Sequence, residues 1–241
     1  MRKKILLAAA AVVAVGTTAA AISTGPGRAP RPQQSRTVVA DSLAALPADS
    51  LSDWTTYSDY VVDAVATRVE RTQPSAEEVA AGEGLSVRLV TLKVTDVVWK
   101  APAAHPQPAA LVIPDGGWLF AKGRPERQLL SGDSVSLEVG HHYLIPIFYD
   151  ETFKPAWQGL QASAILPFDN GVAGQGGQII GPDQQPVTAL KAAADPRESR
   201  RGLWGKGATA IASSLAAAKP DAHADTSLPP TARYQKALRQ R

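Results

Sequence analysis

The amino-acid sequence predicts a mainly β fold, and two observations carry this prediction. The longest run with strand character covers residues 85–100, which are rich in Val, Leu and Thr, and its alternation breaks at Leu89–Val90. Such side chains fit a pleated surface, and one break in parity is typical of a β-bulge that bends the strand. Residues 134–139 alternate strictly between polar and apolar side chains. A long bent strand with both faces partly apolar predicts a small barrel or a tightly coiled sheet. The chain has no cysteine, so we expect this body to be held by its apolar core alone.

The first 50 residues are expected to lie outside the folded body. Basic residues at positions 2–4 precede an apolar run over 5–15 and small residues as far as Ala21, a pattern typical of an export signal cleaved after Ala21. The alternative is an uncleaved anchor, since the 18 residues from 5 to 22 reach the lower limit for crossing a bilayer. Residues 22–50 are predicted to be a linker, rich in Pro, Gly and Arg at its start. The predicted location is therefore extracellular or at the cell surface, with a single-pass anchored protein as the alternative.

Residues 51–182 are predicted to form the β-barrel domain. Its main strands, in chain order, are expected at residues 58–70, 85–100, 111–114, 134–139 and 143–149. Pro146 removes a hydrogen-bond donor from the last of these, which indicates an edge strand or a bulge. We expect a turn at 115–117, an exposed loop at 122–128, and a last hairpin closed by Asn170–Gly171.

Residues 183–241 are predicted to be a short helix and a mostly disordered basic tail. The short helix is expected over 186–194, and an Ala-rich helix is the alternative to disorder over 208–218. Residues 196–241 contain nine bases and three acids. Their large apolar side chains are too few to offset the chain entropy of a separate domain: Leu203, Trp204, Ile211, Leu215, Leu228 and Leu238.

The distribution of charge argues against nucleic-acid binding. Beyond residue 21 the chain has 22 basic and 22 acidic residues, and residues 22–195 hold 13 bases against 19 acids. A nucleic-acid-binding protein concentrates its bases on the folded part. The predicted partner is therefore an unknown envelope protein, polymer or small ligand, with membrane contact only through the N-terminal segment if it stays uncleaved.

Four segments together resemble a known family of small secreted barrels. They are SDYVVDAVATRV from Ser58, VTLKVTDVVWK from Val90, LVI from Leu111 and LEVGHHYLIPI from Leu137. Their order is similar to that of the tissue-inhibitor-of-metalloproteinases and netrin-like modules, and to exported proteins of high-GC Gram-positive bacteria. The resemblance implies an OB-type, partly open five-stranded barrel over about residues 55–150. That family's inhibitors use an amino-terminal cysteine to ligate a metal, and this chain has no cysteine, so the activity is not carried over.

His141 and His142 are the first candidates for a site. Adjacent residues in a strand point to opposite faces, so we expect the two not to share a metal ion and interpret them as turn or surface histidines. A Ser-His-Asp set drawn from Ser131 or Ser134 with His141 and Asp150 lacks a G-x-S-x-G elbow. The glycine-rich residues 174–177 lack the following helix and Lys of a phosphate-binding loop. We therefore predict no catalytic residue, no cofactor and no metal ligand.

Trp157 is the third ligand-binding candidate beside His141 and His142. Its surrounding loop is polar, and an aromatic ring can stack on a sugar or a base, whereas the alternative is packing in the core. The predicted function is an exported, non-enzymatic binding or interaction module of the cell envelope. The alternative is an exported hydrolase or metal-dependent enzyme that uses His141 or His142 with nearby carboxylates.

Overall fold

The computed structural model describes residues 38–40, 46–131, 135–176, 178–180, 186–187 and 202–240. The predicted signal segment with Ala21, and the predicted linker apart from 38–40 and 46–50, lie outside the described residues. The prediction of a linker is wrong where the structure describes it, because residues 38–40 pair with a strand of the sheet and Leu46 and Ala48 are buried in a core. The strands and helices are, in chain order, β1 Val38–Ala40, α1 Leu51–Tyr57, β2 Tyr60–Arg71, α2 Ala76–Ala81, β3 Glu83–Lys100, β4 Ala110–Ala121, β5 Arg124–Ser131, β6 Val135–Ser136, β7 His142–Tyr149, β8 Trp157–Gly159, β9 Leu166–Pro167, β10 Gln178–Ile180, β11 Pro186–Val187, α3 Ala208–Ala217 and α4 Pro230–Leu238.

The main sheet is a curled antiparallel half-barrel, which confirms the predicted fold class. Its strand order is β1-β5-β4-β3-β2-β7-β8, and β9 also pairs with β7. The six strands from β5 to β8 pair antiparallel, whereas β1 joins β5 in parallel. Across the curl, a Cβ added to Gly159 of β8 would lie 3.4 Å from Ile113 of β4. Strand β8, at one end of the sheet, therefore approaches β4 across the curl.

The long strands β2 and β3 curve because their pairing is repeatedly interrupted. Their register shifts at three points, the first between Val61 and Val62. The register of β3 against β4 shifts between Val87 and Leu89, next to the bulge predicted from the parity break at Leu89–Val90. An extra residue on one strand bends it and increases its twist.

A turn and a loop that the sequence predicts in the next part of the chain are both wrong. The predicted turn at 115–117 lies inside the continuous strand β4, and a Cβ on Gly117 would lie 2.2 Å from the carbonyl oxygen of Ser86. Glycine is needed there for close approach of two strands rather than for a change of direction. The predicted loop at 122–128 is a tight turn around Gly123, whose φ is +73°, and then strand β5.

Pro146 lies at the point of β7 where neither of the two short neighbouring strands, β8 and β9, pairs with it. On one side it is opposite Val61 of β2, and on the other side its carbonyl accepts a hydrogen bond from the Leu160 amide at 2.8 Å. The carbonyl and nitrogen of one strand residue point to the same side, so the missing donor faces the gap between β8 and β9. The sheet thereby accommodates the proline.

The two faces of the sheet carry two separate cores, as alternation along β2 and β7 requires. The inner core lies within the curl and includes Tyr60, Val62, Ala64, Ala66, Val90, Leu92, Leu111, Ile113, Tyr143, Ile145 and Ile147. The outer core lies on the opposite face and includes Trp54, Tyr57, Val61, Leu144, Phe148, Leu166, Phe168, Leu203, Ile211 and Leu215.

The prediction of a mostly disordered tail is wrong for residues 202–240. Leu203, Ile211 and Leu215 are completely buried in the outer core. Helix α3 matches the Ala-rich helix considered over 208–218. These few apolar side chains do not form a core of their own, but they complete the core of the body. Their burial offsets the loss of chain entropy when the segment becomes ordered.

The short helix expected over 186–194 is also wrong at its start. Pro186 and Val187 form β11, which pairs with Ile180 and Ile179 of β10. Residues 188–194 lie outside the described part of the chain. None of the helices described here has the length and apolar character needed to cross a membrane.

Candidate functional site

An open, polar cleft lies at the start of β7, on the same face of β2 and β7 as the outer core. Its volume is about 460 Å³. Seven residues line it: Asp63, Gly140, His141, His142, Asp169, Asn170 and Gly171. It therefore brings together two of the three candidates predicted from the sequence.

His142 and Asp63 form one His–Asp pair on neighbouring strands. In the β2–β7 ladder Val65 lies opposite His142, so Asp63, two residues away on the same face, is its diagonal neighbour. The His142 Nδ1 atom lies 2.8 Å from Oδ1 of Asp63. Sheet register brings the two side chains of this pair together.

His141 lies in the turn that precedes β7, so the expectation that it faces away from His142 is wrong. Gly140 has a φ of +92°, and its amide donates to the Ala66 carbonyl at 2.8 Å. The His141 carbonyl then accepts from the Ala66 amide at 3.0 Å. Only His142 has strand geometry, so the alternation rule does not apply to the pair and both rings line one cleft.

Asp169 holds both histidines from a separate loop. Its Oδ2 atom lies 2.6 Å from Nδ1 of His141, and its Oδ1 atom accepts the backbone N–H of His142 at 2.8 Å. Partial burial acts to raise the pKa of Asp169, but the hydrogen bonds from His142 and His141 outweigh it and hold the pKa below the ordinary value. The Asp169 carboxylate is therefore ionised at neutral pH.

The predicted hairpin at Asn170–Gly171 is wrong. Asp169–Gly171 forms a single 3-10 turn, with Asn170 in the left-handed region at φ 56°. The following Val172 pairs with Gly207 rather than with β10. The turn thus presents Asp169, Asn170 and Gly171 to the cleft.

Two glycines explain how this loop reaches its position. A Cβ on Gly176 would lie 1.7 Å from Oδ2 of Asp169, and one on Gly174 would lie 1.8 Å from the ring of Trp204. Both glycines have positive φ, at +71° and +86°. The glycine-rich stretch therefore permits close packing around Asp169 and against the carboxyl-terminal segment.

The carboxyl-terminal segment, residues 202–240, holds the same loop by backbone hydrogen bonds. The Ala173 amide donates to the Lys206 carbonyl at 3.0 Å, and the Gly205 amide donates to the Ala173 carbonyl at 2.8 Å. Leu203 and Ala173 are both buried in the outer core. One wall of the cleft therefore depends on residues far along the chain.

The hydrogen bonds fix the tautomer of both rings. An ionised carboxylate only accepts hydrogen bonds, so Nδ1 of each histidine donates its proton to an aspartate. In a neutral imidazole the other nitrogen, Nε2, then carries a lone pair. The histidine side chains are 39% and 37% exposed for His141 and His142, against 23% for Asp169 and 17% for Asp63. The cleft thus contains two anchored imidazoles supported by less exposed carboxylates.

The described residues that line the cleft supply no obvious nucleophile. Its lining residues in the described structure include no Ser, Thr, Tyr, Lys or Cys. The neighbouring Tyr143 hydroxyl accepts from the Glu138 amide at 2.7 Å and donates to the Ser136 carbonyl at 3.1 Å. Burial raises the pKa of Tyr143 to about 12. Within the described ranges, no group of three or more His, Asp or Glu residues is arranged to hold a metal ion.

Trp157, the first residue of β8, lies away from the cleft in an aromatic cluster. Its ring centroid is 5.8 Å from that of Tyr60 and 5.4 Å from that of Tyr149, and its side chain packs against the inner core. His105 stacks on Tyr149 at 4.4 Å and lies 3.5 Å from Asp59. Trp157 and His105 therefore belong to a different part of the surface from His141 and His142.

The Ser-His-Asp set considered from the sequence is not assembled at this cleft. Asp150 is buried and accepts hydrogen bonds from Thr152 and Thr231 instead of contacting His141. Ser134 lies outside the described residues. The partner of His141 is Asp169.

Sequence reasoning missed Asp63 and Asp169. Asp63 is the one charged residue among Tyr60–Ala66 of a Val- and Ala-rich strand, a polar interruption that indicates a specific partner. Asp169 directly precedes the Asn170–Gly171 turn signal. Neither signal names a histidine as the partner, because that pairing depends on how β2, β7 and the loop meet.

Comparison with known proteins gives no relative: no family model, curated protein or solved structure matches this chain. The resemblance to the tissue-inhibitor and netrin-like barrels therefore stays a prediction.

Proposed function

We propose that this protein is an exported, non-enzymatic binding module of the cell envelope, and that the cleft at His141 and His142 is its ligand-binding site. The observation that carries this proposal is that two separate His–Asp pairs open onto one cleft of about 460 Å³. Small-ligand sites typically have volumes of about 300–1,000 Å³ and a few convergent polar groups. The cleft has both properties.

Binding is favoured over catalysis by what the lining residues offer. They supply two imidazoles, two carboxylates and the polar turn at Asn170, but within the described structure no hydroxyl, thiol or amine. Each imidazole is held by an aspartate at 2.8 Å or less. A ring fixed before binding loses little entropy on contact with a ligand. Such a cleft recognises a polar group without a covalent step.

A hydrolase is the second candidate, and one contact favours it. The 2.6 Å distance between Nδ1 of His141 and Asp169 is the spacing of a general base and the carboxylate that orients it. With Nδ1 held by Asp169, His141 would act through Nε2 on a water molecule, because the described lining has no nucleophile of its own. This candidate requires turnover that depends on His141.

Export is the part of the proposal supported by sequence alone. The basic start, the apolar run and the small residues before Ile22 are the supporting pattern. Expression in a Gram-positive host followed by fractionation and amino-terminal sequencing tests it. We expect a protein outside the membrane with a new terminus at Ile22, and an unprocessed chain in the membrane fraction would contradict cleavage.

Histidine-selective NMR distinguishes the binding module from the enzyme. The full chain, labelled with ¹⁵N-histidine, is titrated with sodium phosphate, sodium citrate, soluble peptidoglycan fragments and zinc chloride, and p-nitrophenyl acetate turnover is measured on the same sample. We expect at least one probe to shift the ring signals of His141 and His142 while those of His105 stay unchanged. Turnover that is lost in His141→Gln and retained in the matched control His105→Gln would instead establish the hydrolase.

A further inference from the structure

The hydrogen bonds made by the two imidazoles narrow the class of ligand. In both His141 and His142 the nitrogen next to the ring attachment, Nδ1, is occupied by an aspartate, at 2.6 and 2.8 Å. Nε2 is the atom left for a ligand, and in the neutral ring it is an electron-pair donor. We infer that the cleft binds one transition-metal ion of the zinc, copper or nickel class through Nε2 of both histidines, an inference that rests on the proposed binding function of the same cleft.

The aspartates give the histidines the surroundings of metal ligands. Histidines that ligate a metal nearly always donate their other ring N–H to a carboxylate or a carbonyl, which fixes the tautomer and raises the basicity of the ligating nitrogen. Asp63 does this for His142, and Asp169 does it for His141. Asp169 additionally holds the backbone of His142, so the relative position of the two rings is fixed through one carboxylate.

The charge of the cleft favours a cation. Asp63 and Asp169 contribute two carboxylates, and the described lining residues include no Lys or Arg to balance them. With neutral imidazoles the lining is therefore net negative, and it attracts a divalent ion and disfavours an anionic ligand. Imidazole nitrogen suits zinc, copper and nickel, whereas magnesium and calcium prefer oxygen ligands.

The site would be open rather than closed. No third His, Asp or Glu of the described chain converges with this pair on one ion, and both rings are more than one third exposed. Two protein nitrogens leave at least two positions of a tetrahedral ion to water or to a small chelating molecule. The ion would therefore exchange readily, which suits capture or delivery of a metal better than a structural role. This inference replaces the sequence-based expectation that His141 and His142 share no metal.

Copper EPR on the unmodified full chain tests the inference without a variant. One equivalent of copper(II) should give a single type-2 spectrum with superhyperfine coupling from two imidazole nitrogens. Zinc chloride titrated by calorimetry should bind with a stoichiometry of one. Spectra with one nitrogen, with none, or with only aqueous copper would overturn the shared site.

The variants locate the metal and separate the inference from the proposed function. We expect His141→Gln and His142→Gln each to weaken zinc binding at least tenfold, and Asp63→Asn and Asp169→Asn to weaken it about 10–100-fold. The control is His105→Gln, since His105 also has an aspartate neighbour but lies outside the cleft, and it should change affinity less than twofold. Binding that survives in the double variant His141→Gln/His142→Gln overturns the inference. If zinc leaves both rings unchanged while phosphate, citrate or peptidoglycan fragments shift them, the metal inference fails and the binding module stands; if no probe shifts them, both fail.

Discussion

The two His–Asp pairs of the cleft differ in what positions them. His142 and Asp63 lie on adjacent paired strands, and their contact follows from the register of β2 against β7. His141 lies in a turn, and Asp169 lies in a loop that the carboxyl-terminal segment holds through Ala173. The difference indicates that one half of the site is part of the sheet, whereas the other half depends on long-range packing. Perturbing the carboxyl-terminal segment should therefore affect the two histidines unequally.

The largest expected effect comes from Gly174→Ala. The added Cβ would lie 1.8 Å from the ring of Trp204, and the position has a φ of +86°. Backbone strain of about 1–3 kcal/mol and overpacking of about 1–3 kcal/mol should lower the free energy of unfolding by about 3 kcal/mol in total. Urea denaturation measures this change, and NMR should show His141 signals shifting more than His142 signals.

Gly123→Ala is the matched control for that variant. Gly123 has a similar φ of +73°, but a Cβ there would meet nothing within 4 Å. We expect only the strain contribution, about 1 kcal/mol, and unchanged signals from both histidines. Equal losses of stability in the two variants would show that contact with Trp204 does not matter.

Asp169→Asn and Asp63→Asn should distinguish the two His–Asp pairs, with smaller losses of stability than Gly174→Ala. Asp169 contacts both His141 and His142, so its replacement should lower the free energy of unfolding by about 2 kcal/mol and disturb both rings. Asp63 contacts His142 alone among the two histidines, so Asp63→Asn should cost about 1 kcal/mol and leave His141 in place. Chemical denaturation with histidine NMR checks both, and a larger effect of Asp63→Asn on His141 would contradict the comparison.

The smallest expected change in stability comes from Asp150, which accepts a hydrogen bond from Thr231 of helix α4. Burial acts to raise the pKa of Asp150, but hydrogen bonds from Thr152 and Thr231 outweigh it, so the pKa lies below the ordinary value. A lowered pKa in the folded state stabilises the protein above the unfolded value of about 3.9, and this contribution is lost as the pH falls below it. Denaturation at pH 6 and pH 3 should therefore show a smaller decrease in stability for Asp150→Asn than for the unmodified chain.

Asp115 should affect the pH dependence of stability in the opposite direction, so Asp115→Asn serves as the comparison for Asp150→Asn. Burial raises its pKa despite its ion pair with Arg88, so protonation of Asp115 favours the folded state. We expect Asp115→Asn to lose more stability than the unmodified chain over the same fall in pH. If both variants lost more stability than the unmodified chain between pH 6 and pH 3, or if both lost less, the assigned surroundings of one carboxylate would be wrong.

Local patterns in the sequence located the long strands of the sheet but neither all of its strands nor the site. Strand β5 was expected to be a loop, and the strand expected at 134–139 is only Val135–Ser136, in a separate three-stranded sheet. The Val- and Leu-rich runs predicted β2, β3 and β7, and the break at Leu89–Val90 lies next to an observed bulge, because side-chain alternation is a local property. Asp169 could not be assigned to His141, since 28 residues separate them and a loop brings them together. The tail was misjudged for the same reason: Leu203, Ile211 and Leu215 are too few for a domain but enough to complete the core of another.

The tautomers of His141 and His142 test the central claim most directly. Long-range ¹H–¹⁵N spectra of the ¹⁵N-histidine-labelled full chain at pH 8 report which ring nitrogen carries the proton. The account predicts Nδ1–H for both rings, with slowly exchanging protons, and a shift of both Nε2 signals on addition of one equivalent of zinc. An Nε2–H tautomer in either ring, or free exchange between tautomers, would contradict the two aspartate contacts and the cleft built on them.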